Sequence, residues 1–154
     1  LEFSSRIKKI KKLIPDACIG VDVIVGFPSE TEHDFNETYN ILNDLNVSYL
    51  HVFSYSERDN TKSKEIFPKV NQNEIVSRRN KLRALSALKY KDFILKNLNR
   101  KTDILFEKYD DGLLSGWTEN YIRVNVQGSK KLINQIQKIK LTAHDSGYTE
   151  GILV

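Results

Sequence analysis

Two residues with proton-transfer chemistry stand on neighbouring predicted strands. Asp22 lies in the Val/Ile-rich run 19–25, and His51 lies in a second short run, 49–53. Because successive side chains of a strand point to opposite faces, the aliphatic residues of both runs share the face that packs on helices. Asp22 and His51 then point together toward a shared lumen. A carboxylate beside an imidazole is there either a proton-handling pair or a hydrogen-bonded structural pair.

Two polar loops, residues 26–31 and 54–61, follow these strands. In parallel α/β folds the working residues lie in loops after the carboxyl ends of strands. The chain has no phosphate-binding GxxxxGK[ST] or GxGxxG pattern and no GxSxG nucleophile pattern. It has one cysteine, Cys18, and no histidine or cysteine pair at zinc-finger spacing. The sequence therefore predicts no metal site and no self-contained active site.

A third group of chemically useful residues lies in the second half of the chain. Trp117 and Tyr121 stand in a predicted polar loop, which leads into a predicted strand with Arg123 and is followed by several lysines. Small β-barrels bind RNA with aromatic side chains that stack on bases and with nearby cations. The same residues fit a second interpretation, in which Trp117 closes the end of a barrel and the lysines are scattered surface residues.

The spacing of apolar residues predicts the elements that carry these side chains. Stripes at helical spacing predict helices over 3–14, 31–45 and 71–98, and Thr31 opens the second with a capping box. Together with the two strands they form an αβαβ unit with parallel strands. From about residue 101 the period changes from 3.6 to 2, which predicts several short strands and a small β-barrel over 101–154.

The predicted organisation is thus α/β plus all-β, with domains at 1–98 and 101–154. Two parallel strands do not make a stable sheet alone, so we expect the first domain to be the end of a larger barrel or open sheet. No apolar run approaches the roughly 18–20 residues of a membrane span, which predicts no membrane partner and a cytoplasmic location. The chain has no methionine, so we expect a fragment.

Charge is concentrated in one predicted helix. Residues 71–101 carry nine basic and two acidic side chains, whereas residues 15–70 carry four basic and ten acidic ones. A helix with this charge attracts polyanions at short range, or it simply presents a solvated face. Charge alone therefore does not decide whether nucleic acid is a partner.

Three motifs, in this order, resemble the radical S-adenosylmethionine (SAM) methylthiotransferases. They are DVIVGFPSET at 22–31, YSERDNT at 55–61 and TENY at 118–121. The usual forms in that family read DxIVGFPGET, YSPRPGT and GRTENY, and the resemblance covers essentially the whole chain. It implies that the first domain is the C-terminal portion of a radical SAM partial TIM barrel. The second domain would be a small OB-like barrel, the TRAM domain.

The resemblance also implies which residues bind ligands. Part of the SAM site would lie in the first domain, and an RNA-binding surface would lie in the second. The residues implied near SAM are Asp22, Ile24, Gly26, Tyr55 and Arg58. The residues implied to contact RNA are Trp117, Asn120, Tyr121, Arg123, Lys130, Lys131 and Lys140.

The parent reaction implied by the resemblance adds a methylthio group to a modified adenosine 37 of tRNA, bound through its anticodon stem-loop. The His51-Val-Phe run is most similar to the threonylcarbamoyladenosine branch. The implied cofactors are SAM and two [4Fe–4S] clusters, but the family's CxxxCxxC motif is absent here. We therefore expect catalysis to need the N-terminal parts of the same enzyme. The alternatives are the branch that modifies a ribosomal protein and a non-enzymatic RNA-binding or adaptor module.

The chain departs from the family motifs at five positions. Ser29 and Asn60 stand at family glycines, Glu57 and Asp59 at family prolines, and Trp117 at a family arginine. We expect Ser29 to cap the following helix and the second loop to be more flexible and more acidic. Trp117 would replace a phosphate contact with a stacking surface.

Overall fold

The computed structural model describes residues 2–145 and 147–154. It divides into two compact units, Leu1–Tyr90 and Lys91–Val154. The division falls inside the third helix, whereas the change of periodicity in the sequence follows that helix. Within the described residues, no helix combines the length and the apolar character that crossing a membrane requires.

The first unit alternates helices with two parallel strands. Its elements are α1 (Glu2–Leu13), β1 (Gly20–Val25), α2 (Glu32–Asp44), β2 (Tyr49–Ser54), a 3-10 turn (Lys62–Glu65) and the beginning of α3 (Gln72–Asn97). The two strands pair in parallel, with Gly20 opposite Tyr49 and Val25 opposite Ser54. The predicted αβαβ order and the long third helix are confirmed. The 3-10 turn lies in a segment without apolar periodicity and was not predicted.

The core of the first unit lies on one face of this small sheet. Strand residues such as Leu50 pack against the inner faces of α2 and α3, where Phe35, Leu42, Leu82 and Leu85 are buried. The opposite face of the sheet is exposed. Its outward side chains include Asp22, Ile24, His51 and Phe53. The sheet therefore has one covered face and one open face within the described residues.

Two predicted apolar stripes are wider than the core that they meet. In α1 only Ile7 is buried, and in α3 the buried stripe of the first unit ends at Leu85. A sheet of two strands covers only a narrow strip of each helix, so the neighbouring apolar positions stay in solvent. Five apolar residues of the stripes that predicted the helices over 3–14 and 71–98 are exposed, the last of them in the second unit: Phe3, Ile10, Ile14, Leu88 and Leu95.

The start of α2 is fixed by the predicted capping box. The Thr31 hydroxyl accepts a hydrogen bond from the Asp34 N–H, and the Asp34 carboxylate accepts one from the Thr31 N–H at 2.9 Å. The hydrogen bond from the Thr31 hydroxyl is the main cause that lowers the pKa of Asp34. Ser29 does not cap this helix, so that expectation is wrong. Thr31 is the residue with the extended backbone of an N-cap.

The second unit is built from five strands after the end of α3. They are β3 (Lys101–Asp110), β4 (Leu113–Thr118), β5 (Arg123–Gln127), β6 (Ile136–Asp145) and β7 (Tyr148–Leu153), with a 3-10 turn at Lys130–Leu132. The spatial order is β3-β4-β5-β7-β6, and β6 pairs back with β3, which closes the sheet on itself. The structure therefore combines a first unit of helices and parallel strands with a second unit of five strands.

Strand β4 was missing from the sequence-based prediction. Residues around Trp117 were expected in a polar loop, but Trp117 lies on β4 and pairs with both neighbouring strands. Gly116 explains how β3 approaches so closely. A Cβ atom there would overlap the backbone of Leu105, next to the irregularity between Phe106 and Lys108. Ser115 and Gly116 interrupt the apolar residues of β4, so this strand lacks the alternation that reveals other strands.

The capping box gives a pH-dependent prediction. Because the folded-state pKa of Asp34 lies below its ordinary value of 3.8, the Asp34 carboxylate stabilises the fold above pH 3.8. It ceases to do so as the pH falls through the folded-state pKa. We expect Asp34→Asn to lower the thermal midpoint at pH 7. The midpoints of variant and unchanged chain should converge as the pH falls below 3.8.

The control is Asp44→Asn, which removes a carboxylate from the last turn of the same helix. Its midpoint at pH 7 should not fall, because an acidic side chain at a helix C-terminus is not stabilising. Thermal melts followed by circular dichroism measure both variants. A midpoint difference for Asp34→Asn that stays constant down to pH 2 would show that the carboxylate charge is not what caps α2.

Candidate functional site

The open face of the first sheet brings together the predicted acid and imidazole. Asp22 and His51 are directly opposite each other in the β1–β2 register. Both are exposed, and the Tyr49 ring lies edge-on to the His51 ring at 4.9 Å. The next outward pair along the strands is Ile24 and Phe53. The strand alternation thus places a polar pair beside an apolar pair on one face. A proton-handling role for Asp22 and His51 stays a prediction.

A buried ion pair shapes the loop after β1. The Glu30 carboxylate accepts hydrogen bonds from the Gly26 N–H at 2.8 Å and from the Arg78 guanidinium at 2.7 Å. Arg78 also donates to the Glu30 carbonyl at 3.0 Å, and its side chain is only 4% exposed. One carboxylate therefore fixes the loop to α3. Breaking a buried pair of this kind is costly because the remaining charge is left uncompensated.

Gly26 is a structural position within this loop. Its φ is +77°, in the left-handed region, and an added Cβ would overlap the Ile75 side chain. Its N–H is already used by Glu30. Gly26, which was predicted near SAM, therefore stabilises the conformation of the loop through both its backbone conformation and its hydrogen bond.

The loop after β2 is joined to the first loop through Tyr55. The Tyr55 N–H donates to the Val25 carbonyl at 2.8 Å, and its ring packs edge-on against Phe27 at 5.3 Å. The Tyr55 hydroxyl lies 3.0 Å from the Ser63 hydroxyl. Arg58 is exposed at the tip of the loop. Tyr55 and Arg58 thus lie on the same loop, and the Tyr55 side chain contacts Phe27 and Ser63.

The departures from the family motifs have local explanations. Ser29 and Asn60, at the two family glycine positions, have φ values of 67° and 63°. Both positions require the left-handed conformation that glycine adopts most readily, and asparagine tolerates it better than most residues. The acidic substitutions are ion-paired, since Glu57 lies 2.8 Å from Lys69 and Asp59 lies 2.9 Å from Lys64. The extra acidity of the second loop is therefore partly neutralised.

An exposed row of side chains crosses four strands of the second unit. Strand pairing places Ile136 opposite Leu105, Leu105 opposite Trp117, and Trp117 opposite Arg123. We call these four residues the outward row. Ile136 is 68% exposed, Leu105 40% and Trp117 39%. Exposed large apolar side chains that are contiguous on a folded surface mark an interaction site.

Trp117 is the centre of this surface. The Arg123 guanidinium lies 6.0 Å from the centroid of its ring, and the exposed Tyr121 ring lies 6.4 Å away at an interplanar angle of 53°. A groove of about 540 Å³ on one side reaches Tyr121 and Ile136, and a groove of about 210 Å³ on the other reaches Arg123. The predicted group Trp117, Tyr121 and Arg123 is therefore brought together.

The other predicted RNA contacts are placed differently. The Asn120 amide lies within hydrogen-bond distance of Thr118 at 2.8 Å and of Asn97 at 3.0 Å, so it holds the turn between β4 and β5. Lys130 and Lys131 are exposed in the 3-10 turn that follows β5. Lys140 lies on β6, on the same outer face as Ile136, by strand alternation.

Four residues important to these sites were missed by sequence reasoning. Glu30 and Arg78 are 48 positions apart, and Arg78 was included in a solvated basic helix face. Leu105 and Ile136 could have been found, because each alternates with buried strand residues and must therefore point outward.

Gly26 yields a test of the first loop. We expect Gly26→Ala to lower the free energy of unfolding more than Gly147→Ala does, by at least about 1 kcal/mol. Both glycines have positive φ, but an added Cβ meets Ile75 at Gly26 and meets nothing within 4 Å at Gly147. Chemical denaturation of both variants measures the difference. Equal losses would show that the loop moves away from α3 at no cost.

No family model matches the chain. Among solved structures, the apo form of Mycoplasma genitalium RNase R aligns with 55% of this chain and 20% of that chain, at 11% identity and a TM-score of 0.36. That likeness is too weak to bear on the fold.

Individual proteins match over nearly the whole chain. The threonylcarbamoyladenosine tRNA methylthiotransferase MtaB of Bacillus subtilis is 35% identical over 157 residues, covering 99% of this chain and 35% of that protein. MtaB of Aquifex aeolicus is 37% identical over 85% of this chain and 31% of its own length. The tRNA-2-methylthio-N(6)-dimethylallyladenosine synthase of Campylobacter jejuni is 35% identical over 91% of this chain and 33% of its own length.

The Bacillus subtilis match covers 99% of the chain and therefore includes each motif noted in the sequence together with the segments between them. The chain spans about a third of the length of these relatives. By sequence, the chain belongs to the tRNA methylthiotransferases.

Proposed function

We propose that this chain is the C-terminal part of a radical SAM tRNA methylthiotransferase, in which it supplies part of the SAM site and an RNA-binding TRAM domain. The observation that carries the proposal is the 35% identity to the Bacillus subtilis enzyme over 99% of the chain. The reaction of the whole protein would add a methylthio group to a modified adenosine 37 of tRNA. We favour threonylcarbamoyladenosine, which both MtaB relatives carry in their names.

The architecture supports this assignment of domains. Two parallel strands with one open face are the expected end of a larger sheet, whose remaining strands the N-terminal parts of the enzyme would supply. The five-stranded second unit, over 101–154, fits an OB-like TRAM domain. A self-contained adaptor protein should not leave the edges and the apolar face of a sheet exposed to solvent. The exposed face of the β1–β2 sheet therefore disfavours the adaptor alternative.

The iron–sulfur clusters of the family do not fit the residues of this chain. A [4Fe–4S] cluster is held by several cysteine thiolates, and the chain has only Cys18. Burial raises the pKa of the Cys18 thiol, which favours the protonated form over the thiolate that binds metal. Any cluster ligands must therefore come from the N-terminal parts of the enzyme, and this chain alone is expected to be inactive.

SAM fits this chain in part. Asp22 offers a carboxylate and Ile24 an apolar surface on the open face, while Tyr55 and Arg58 lie on the loop at the carboxyl end of β2. These four residues would form one wall of the SAM site. When bound, SAM supplies the methyl group and the radical chemistry. Gly26 would act indirectly, by keeping the loop in place through Glu30.

The second unit would hold RNA through the surface around Trp117. The rings of Trp117 and Tyr121 are inclined at 53°, so they cannot sandwich one base between parallel faces. Each ring instead offers its own face for stacking. Arg123 and Lys140 would contact phosphates, and Lys130 and Lys131 would extend the basic surface. Asn120 would act by shaping the turn that carries Tyr121.

This proposal predicts weak, salt-dependent binding of an anticodon stem-loop RNA by the chain. Contacts between a few cations and phosphates release counterions, so the affinity should fall roughly ten-fold between about 50 and 200 mM salt. Trp117→Ala should lower the affinity by at least about five-fold through loss of stacking, with little change in the salt slope. Fluorescence anisotropy of a labelled RNA measures both quantities.

The control for Trp117→Ala is Phe67→Ala, which removes another exposed ring, in the first unit. It should leave RNA affinity unchanged. Salt-independent or absent binding would count against an RNA role for this chain. Capture of a ribosomal protein in a pull-down, with no binding of tRNA, would instead favour the protein-modifying branch.

A further inference from the structure

Three facing pairs of side chains follow one another along the outer face of β3 and β6. Strand register places these residues directly opposite each other, and alternation points all six outward. The pairs are Lys101–Lys140, Asp103–Lys138 and Leu105–Ile136. The face therefore changes along the strands from two cations, through one ion pair, to two apolar side chains.

The cationic end places two like charges directly opposite each other on β3 and β6. Like charges directly opposite on neighbouring strands are destabilising. The nearest carboxylate along β3, Asp103, is bonded to the Lys138 ammonium at 2.8 Å, and this contact raises the pKa of Lys138. No ion pair in the part of the chain that the structure describes includes Lys101 or Lys140. An external anion bound between these two ammonium groups would relieve their repulsion.

The apolar end continues into the outward row. Leu105 lies between Ile136 and Trp117, and the larger of the two grooves opens beside all three. Their side chains lie next to one another across three strands spaced about 5 Å apart. A planar ring lying against this surface would cover apolar area that is now exposed to water.

We propose that this face is a track for one RNA strand, with a phosphate held between Lys101 and Lys140 and one unstacked base lying on Leu105, Ile136 and Trp117. The proposal rests on the RNA role proposed above and extends it to Leu105, Ile136 and Lys101. Four residue steps along β3, from Lys101 to Leu105, place the two ends about 13 Å apart. The neutral Asp103–Lys138 pair between them attracts neither group strongly.

The occupant is a single strand rather than a duplex for a physical reason. A base lies flat on an apolar surface only when one of its faces is free, and in a helix both faces are covered by neighbouring bases. A duplex could still contact the lysine pair through phosphates. It would leave the apolar end of the track empty.

The sole tryptophan of the chain lies within the proposed track and reports on it directly. A single-stranded RNA pentamer should quench the fluorescence of Trp117, and the same sequence in a duplex should not. Lys101→Gln should reduce the slope of log affinity against log salt by about 0.7. Leu105→Gln, or Ile136→Gln as a second variant, should lower affinity roughly ten-fold with an unchanged slope.

Matched controls separate the track from general charge and surface effects. Lys12→Gln removes one exposed cation in α1, and Ile41→Gln changes an exposed apolar residue in α2. Neither should change the pentamer's affinity or its salt slope. Circular dichroism melts confirm that each variant folds.

Two outcomes would overturn the track. Equal quenching by single strand and duplex, or equal effects of Lys101→Gln and Lys12→Gln, would refute it while leaving the RNA role standing. A complete absence of RNA binding by the unchanged chain would overturn both the track and the RNA role.

Discussion

The surface of the second unit depends on its buried side chains. Ile104, Val124 and Ile139 are each fully inside the five-stranded unit, as are their inward neighbours two residues along each strand. Because side chains alternate, every residue between them must point outward. Pairing across the strands then aligns those outward residues in rows, and one of these rows contains Leu105 and Trp117. This outward row is therefore a consequence of core packing, and a one-residue slip of any strand would remove it.

In the first unit, buried polar contacts hold the loops that follow the strand ends. Its central element is the Glu30 carboxylate, which joins the Gly26 N–H to the buried Arg78 guanidinium. The loop after β2 is tied to the same region through the contact of Tyr55 with Phe27. Polar groups at the carboxyl ends of parallel strands are where α/β enzymes bind ligands. The unit thus offers preorganised loops and an open sheet face.

The parts of the fold that follow from local periodicity could be predicted from the sequence. The capping box of Thr31 and the order of the first two strands are examples, because both depend on residues close together in the chain. The pairing of Glu30 with Arg78 could not be predicted, since it joins residues distant in sequence. Strand β4 was missed because Gly116 interrupts its apolar pattern. The exposure of Phe3 shows the reverse error, an apolar stripe that finds no partner within the described residues.

The central claim is that the outer face around Trp117 binds RNA. The most direct measurement is an NMR titration of the isotope-labelled chain with an anticodon stem-loop RNA, in which backbone amide shifts locate the contacts. The account predicts that the largest shifts fall on outward residues of β3, β4, β5 and β6, from Lys101 and Lys140 to Arg123. Shifts confined to β7, or to the loops of the first unit, would contradict it.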